Sequence, residues 1–343
     1  MTRAAIACAV LAMLAIAACK RRQDSSSPPA SSKSKAPPAK PLVPRDTPNQ
    51  CQPHGAHTCY GDAVVECNAN GSIGPTVQAC KAGCRSGACI DSCATQGAEL
   101  VYVVDNERDL LSFDPTRLDG EPLHVIAKLA CPGTDSHPFS MAVDRGGIAW
   151  VLYQDGQLYR VSIVDGHCAA APMSNAGGPA LFGMGFTHQG SGSDDEALYT
   201  VHDGAGAFGV LDTASEPAVW TTRGTTRTSS KPDMSPDLTG TRDGELFGYF
   251  PSSSGPSEIQ QLDLATGRPT GQELVVPSTG GHANAWAFAH WGGVFYVFAT
   301  YDHKSSIYAV HRKTGTASVV RDRIPYEITG AGVSTCAPEL EAQ

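Results

Sequence analysis

Five polar side chains each lie shortly before a run of small and apolar residues: His137, Asp233, His282, Asn284 and Glu327. Imidazole, carboxylate and amide groups bind hydroxyl groups or metal ions when a fold brings them together. We therefore treat these five residues as a candidate ligand site. Asp233 and Glu327 are the only carboxylate pair in the set, and a carboxylate pair across a cleft is what glycoside hydrolysis needs.

Motifs of other chemistries are missing from the sequence. It contains no serine nucleophile elbow, no His-Glu zinc helix and no phosphate loop. The run Asp194-Asp195-Glu196 lacks the ligand spacing of a calcium loop, so we interpret it as solvated loop. We expect neither a metal nor a cofactor. Four tryptophan side chains could stack on sugars, although we expect most of them to fill the space between neighbouring sheets, with Trp291 the most exposed: Trp150, Trp220, Trp286 and Trp291.

The elements that must position these side chains are strands. From Glu99 onward, β-branched and aromatic runs alternate with Gly, Asp and Ser turns, and no helical periodicity is present. The same order of runs recurs about every 42 to 54 residues, at landmarks Met141, Met184, Leu238, Trp286 and Ile328. This all-β pattern resembles the blades of a β-propeller, in which four-stranded sheets repeat around a channel.

The two ends of this region predict how the ring closes. Residues 327–333 look like a first strand with nothing after it, and residues 99–105 look like a second strand with nothing before it. Joining them completes one blade and removes an exposed sheet edge. The prediction is five blades, or six if a degenerate blade lies within residues 212–237. In such a ring the five candidate residues would surround one mouth of the channel.

The N-terminus has the parts of an export signal: Arg3, a short apolar run and small residues before Cys19. Ile16-Ala17-Ala18-Cys19 resembles a bacterial lipobox, which implies cleavage before Cys19 and acylation of that cysteine. Residues 20–50 are rich in Ser, Pro, Ala and Lys, a composition typical of a disordered tether. Lys20 after the cysteine resembles the sorting pattern for the outer membrane. An exported protein meets an oxidising compartment.

Cysteines are concentrated directly after the tether. Residues 51–93 have little apolar core, so they need covalent staples, and export favours disulfides over a zinc site. The pattern is similar to cysteine-rich repeats of secreted and surface proteins in myxobacteria. Seven cysteines lie in this module, and three that remain lie beyond it: Cys51, Cys59, Cys67, Cys80, Cys84, Cys89 and Cys93, then Cys131, Cys168 and Cys336.

Parity of these cysteines predicts one disulfide between the two regions. Because seven and three are both odd, at least one cysteine of the module must pair outside it. We predict Cys93–Cys336, which would lie near the ring closure, and Cys131–Cys168.

The predicted order is therefore a signal peptide (1–18), a tether (19–50), a disulfide module (51–93) and a propeller (94–343). The formal net charge of −9 argues against nucleic acid as a partner. We expect an exported binding protein, attached to the cell envelope through Cys19, that recognises a protein or glycan. The alternatives are a propeller-type glycoside hydrolase and a structural scaffold of an envelope complex, because a propeller alone does not define function.

Overall fold

The structure is a computed structural model. It describes residues 51, 54–60, 63–79, 84–85, 88–89, 93, 95–174, 180–189, 195–202, 206–226, 234–253, 255–271, 273–276 and 283–339. All of them belong to one compact unit, Pro48–Gln343. The predicted signal, the tether with Cys19, and the candidate residues Asp233 and His282 lie outside the described residues.

The cysteine module contains two small sheets. β1 (His57–Tyr60), β2 (Ala63–Cys67) and β3 (Ile73–Ala79) form an antiparallel sheet, and β4 (Cys84–Arg85) pairs with β5 (Ala88–Cys89). The turn between β2 and β3 places Gly71 at φ +77°, the left-handed conformation that glycine adopts without strain. Cys51 and Cys67 are buried and joined by a disulfide with Cα atoms 5.2 Å apart. This bridge staples the chain entering the module to its central strand.

Five four-stranded antiparallel sheets follow the module. Their strands are named below from the innermost strand outward. A 3₁₀ turn, Pro115–Arg117, connects two strands of the last sheet, and the short strand β13 (Met173–Ser174) adds to the outer edge of the second. The sheets are β9 (Pro138–Val143), β10 (Ile148–Tyr153), β11 (Leu158–Ser162), β12 (Cys168–Ala170); β14 (Phe182–His188), β15 (Glu196–His202), β16 (Ala207–Asp212), β17 (Ala218–Thr225); β18 (Asp237–Gly240), β19 (Leu246–Phe250), β20 (Ser257–Leu262), β21 (Leu274–Val276); β22 (Ala285–Trp291), β23 (Val294–Tyr301), β24 (Lys304–His311), β25 (Ala317–Ile324); and β26 (Ile328–Val333), β6 (Val101–Asp105), β7 (Asp109–Phe113), β8 (Leu123–Lys128).

The innermost strands form a closed ring in the order β9, β14, β18, β22, β26 and back to β9. The fold is therefore a five-bladed β-propeller, as the repeated pattern predicted. The six-blade alternative is wrong, because residues 212–237 hold β17, the outer strand of one blade, and the start of the next. The undescribed residues 227–233 are too few for a four-stranded sheet.

The last blade contains both ends of the propeller. β26 pairs with β6 in antiparallel register, from Val333 opposite Val101 to Ile328 opposite Asp105. The amide of Asn106 donates to the carbonyl of Glu327 and extends the pairing by one bond (2.8 Å). The ring closes by the predicted pairing of the two ends, so neither terminal strand of the propeller is left without a partner.

The core lies between neighbouring blades, where large buried side chains from facing sheets interlock. Near the axis the inner strands come too close for side chains, and glycine is needed there. A Cβ on Gly185 would be 2.9 Å from the backbone of Leu238, and one on Gly332 would be 2.9 Å from the backbone of Ala142. At these positions the inner strands therefore pack backbone against backbone.

Both predicted disulfides that involve propeller cysteines are present in the structure, one to the cysteine module and one within the propeller. Cys93 is bonded to Cys336 across 243 residues, and Cys131 is bonded to Cys168 across 37. The predicted bridges of Cys59, Cys80, Cys84 and Cys89 concern side chains outside the described part of the chain. Disulfides are consistent with an exported or extracellular protein. No described segment forms a helix long and apolar enough to cross a membrane.

A candidate binding site at the front mouth of the propeller

A cavity of about 150 Å³ opens at the mouth where the inner strands begin, which we call the front mouth. It is shaped by residues near the start of β9, β14, β18, β22 and β26, together with one turn and one loop. The lining residues are Pro138, Phe139, Ser140, Gln154, Gly183, Ser235, Pro236, Asp237, Asn284, Ala285, Trp286 and Thr329.

Aromatic and amide side chains form the outer part of this front cavity. The indole nitrogen of Trp286 donates to the carbonyl of Ser235 at 2.7 Å, which fixes the orientation of the ring. Asn284 is exposed, and its side-chain oxygen accepts from the amide of Asp302 at 3.1 Å. Gln154 is exposed on the β10–β11 turn. The cavity therefore offers partly buried rings beside polar groups within reach of solvent.

Asp237 is the only ionisable residue among the described residues that line the cavity. It is the first residue of β18, and it is 4% exposed. Its Oδ1 accepts from the Ser140 hydroxyl at 3.4 Å, and its Oδ2 is buried without a hydrogen-bond partner among the described residues. Burial raises the pKa of Asp237 to about 8, against the opposing effect of nearby amides of Leu238, Met184 and Phe288.

Gly183, on the neighbouring strand β14, leaves space for the Asp237 carboxyl group because it has no side chain. A Cβ at that position would be 3.0 Å from Asp237 Oδ1 and would also meet the carbonyl of Pro236. The absence of a side chain at Gly183 thus lets two inner strands approach with the carboxyl group between them.

The five predicted site residues are not brought together as one constellation. Asn284 lines the cavity. His137 and Glu327 lie on the front rim, but each has a partner outside the cavity: His137 Nδ1 donates to the carbonyl of Asn106, and His303 Nδ1 donates to Glu327 Oε2, both at 2.7 Å. Asp233 and His282 lie outside the described residues.

The pair of Glu327 and His303 has a structural consequence at the rim. Asp302 and His303 both have left-handed backbones, with φ of 49° and 59°. Such conformations are strained in residues other than glycine and need support from neighbours. Asn284 and Glu327 supply that support through their bonds to this turn. The hydrogen bond and the charge of Glu327 raise the pKa of His303.

Sequence reasoning missed Asp237, which is directly next to the predicted landmark Leu238. The sequence prediction placed site residues before the first strand of each blade, whereas Asp237 is itself the first residue of such a strand, β18. One signal in the sequence could have revealed this residue: a carboxylate at the start of an inner strand, in the run Asp237-Leu238-Thr239-Gly240.

The opposite mouth, which we call the rear mouth, is covered by the C-terminal residues 334–337, all of them buried. The Thr335 hydroxyl donates to Glu196 Oε2 at 3.0 Å, and the amide of Arg145 donates to Glu196 Oε1 at 2.7 Å. Arg242 donates to the carbonyls of Thr335 and Cys336. Glu196 is therefore half-buried and hydrogen-bonded, not part of a fully solvated loop as predicted, whereas Asp195 is exposed. Burial raises the pKa of Glu196 to about 7.

Comparisons with known proteins add no identity. No protein-family model and no curated protein matches the chain. A chain in a crystal structure of a nidogen/laminin complex is similar, with 10% identity, a TM-score of 0.43, and coverage of 68% of this chain and 97% of that one. TolB from Acinetobacter baumannii gives 13% identity, a TM-score of 0.36, and coverage of 65% of this chain and 52% of TolB.

An engineered GH43 glycoside hydrolase with endo-xylanase and exo-arabinofuranosidase activity is also similar, at 13% identity and a TM-score of 0.38, over 55% of this chain and 42% of that one. The chain thus spans about half of the length of TolB and of this hydrolase. Similarity at these scores carries no functional argument. The propeller assignment comes from the sheet topology of this chain.

Proposed function

We propose that the protein is an exported, lipid-anchored binding protein that holds a sugar ring of a glycan in its front cavity. The observation that carries this proposal is the cavity itself, with two aromatic side chains beside amide, hydroxyl and carboxyl groups. Its volume of about 150 Å³ matches that of a cavity that holds benzene, so it admits a single six-membered ring. Aromatic faces pack against the apolar face of a sugar, and the polar groups bind its hydroxyls.

The way the chain enters the propeller favours a free front mouth. The Ser334 hydroxyl donates to the carbonyl of Ala98 at 2.9 Å, and the Trp291 indole donates to the carbonyl of Glu99 at 2.7 Å. Both contacts are at the rear mouth, where Cys93 is bonded to Cys336. The chain therefore enters the propeller from the cysteine module at the rear mouth, on the side opposite the cavity.

A glycan array tests the binding function. The full chain, purified in detergent from an oxidising compartment, is compared with its Gln154→Ala and Trp286→Ala variants. Gln157→Ala is the matched control, because Gln157 is exposed on the same turn but does not line the cavity. We expect retention on at least one glycan, about tenfold weaker binding for the two cavity variants, and no change for the control. No retention on any glycan, or equal retention by all variants, would overturn the proposal.

The anchor is tested separately with Cys19→Ala. Removal of the acylated cysteine should move the protein from the membrane fraction to the soluble fraction. Continued partition with membranes would show that the lipobox interpretation is wrong. The glycan assay is independent of this result, since it uses purified protein.

A further inference from the structure

We propose that the sugar bound in the front cavity carries a free amino group, and that the Asp237 carboxylate binds its ammonium form. This inference rests on the proposed function and specifies its ligand. The ligand would be an amino sugar without an N-acetyl group. Its protonated amine is a cation attached to a ring small enough to enter the cavity.

The first argument is the unpaired oxygen of Asp237. A buried carboxylate oxygen without a hydrogen bond or a counter-charge is unfavourable, and folded proteins keep very few of them. The Asp237 Oδ2 is such an oxygen among the described residues, and it belongs to a residue of the cavity wall. A ligand cation placed in the cavity would supply the missing partner.

The second argument is the charge of the wall. Among the described lining residues there is no lysine, arginine or histidine. An anionic sugar would find no positive group among these described residues and would face a carboxyl group. An ammonium group instead would find a carboxylate, and it can donate three hydrogen bonds to surrounding acceptors.

The third argument is the supply of further acceptors and aromatic faces. The hydroxyls of Ser140 and Thr329 line the same wall, and Ser140 already contacts Asp237 Oδ1 at 3.4 Å. Phe139 and Trp286 line the same cavity, and an aromatic ring attracts a cation placed over its face. A hydroxyl or an N-acetyl group at the same position of the sugar is uncharged. It would therefore form neither an ion pair with the Asp237 carboxylate nor a cation–π contact with an aromatic ring.

The inference is tested with three β-1,4-linked trisaccharides that differ only at C2: a chitosan trimer with amino groups, a chitin trimer with N-acetyl groups, and cellotriose with hydroxyls. Calorimetric titration of the full chain at pH 5.5 in 0.15 M salt keeps the amino groups charged and screens surface attraction. Burial keeps Asp237 protonated in the free protein at this pH, so binding of the ammonium form should release one proton to the buffer, which titrations in two buffers of different ionisation enthalpy detect. We expect the chitosan trimer to bind at least tenfold more tightly than the other two. Asp237→Asn should remove this preference and leave the weaker binding of the neutral sugars.

Asp155→Asn is the control for general charge, because Asp155 is exposed and does not line the cavity. It should keep the preference, and an equal loss in both variants would overturn the inference. Equal binding of all three trisaccharides would overturn it while leaving glycan binding intact. No binding of any glycan would overturn the proposed function itself. A lysine-containing peptide that binds as tightly as the chitosan trimer would show that the amine does not come from a sugar.

Discussion

The sulfur atoms of Cys93 and Cys336 form a disulfide that spans 243 residues and joins the chain entering the propeller to the segment covering its rear mouth. The same blade is closed by hydrogen bonds between β26 and β6. The ring is thus held at its junction by one covalent bond and one ladder of backbone bonds. The two disulfides of the propeller differ mainly in the length of chain that they close.

This difference predicts the effect of removing each bridge. In the chain-entropy description, a longer closed loop restricts the unfolded state more. Replacing both Cys93 and Cys336 with serine should therefore lower the free energy of unfolding by about 1.7 kcal/mol more than replacing Cys131 and Cys168, which are 37 residues apart. Urea denaturation of the two double variants measures this, and equal losses would contradict the prediction.

The close approach of the inner strands predicts a sharp difference between glycines. Gly185→Ala would place a methyl group 2.9 Å from the backbone of Leu238, where no flexible side chain can move away. We expect a loss of about 2–3 kcal/mol in unfolding free energy, as for overpacked cores. The control is Gly120→Ala, because its nearest neighbour, the Arg117 carbonyl, would be 3.7 Å from the new Cβ. Similar stabilities for the two variants would show that the channel tolerates widening.

Most of the architecture could be predicted from the sequence, because it depends on local patterns. Each blade repeats the same order of runs, and the unpaired runs at the two ends can only complete each other. Cysteine parity adds a constraint between distant segments: it indicates one bridge between the two regions, and the predicted ring closure favours Cys93–Cys336, which the structure contains. Such features need only the alternation of side chains, the turn residues and counting.

The site could be predicted only in part, because its contacts join different blades. His137 is hydrogen-bonded to Asn106, and Glu327 is hydrogen-bonded to His303. No local pattern in the sequence reveals either partner. Whether a polar residue at the front mouth turns into the cavity or toward a neighbouring turn depends on the twist of each blade. Asp237 was missed for the same reason, since the space for its carboxyl group is made by Gly183 on another strand.

His290 predicts a limit to stability in acid. It is 2% exposed near Phe295, its Nε2 has no partner among the described residues, and burial lowers its pKa to about 3. Because the unfolded state binds the proton more tightly, this group reduces stability as the pH falls from about 6.5 toward 3. His290→Phe should remove the loss and lower the pH at which the protein unfolds. Acid titration followed by circular dichroism measures that midpoint, and coincident curves would contradict the expectation.

Asp237 predicts the opposite dependence on pH. Its pKa is raised from 3.8 to about 8 in the folded state, so the folded protein binds the proton more tightly than the unfolded chain does. The stability that this group contributes is fully present below about pH 4 and is lost as the pH rises through 8. Relative to Asp237→Asn, the wild-type protein should lose on the order of 5 kcal/mol between these limits.

Urea denaturation of the wild type and of Asp237→Asn at pH 4.5 and at pH 8.5 measures this effect, because contributions of all other groups cancel in the difference. The variant should be the more stable protein at pH 8.5, with little difference at pH 4.5. Asp155→Asn serves as the control: hydrogen bonds from Thr134 and Gln157 lower the pKa of Asp155, so its carboxylate is ionised at both pH values and its effect should not change between them. A constant difference between the wild type and Asp237→Asn would mean that the Asp237 carboxylate is ionised in the folded protein throughout this range. A cation would then already have to compensate it in the absence of any sugar.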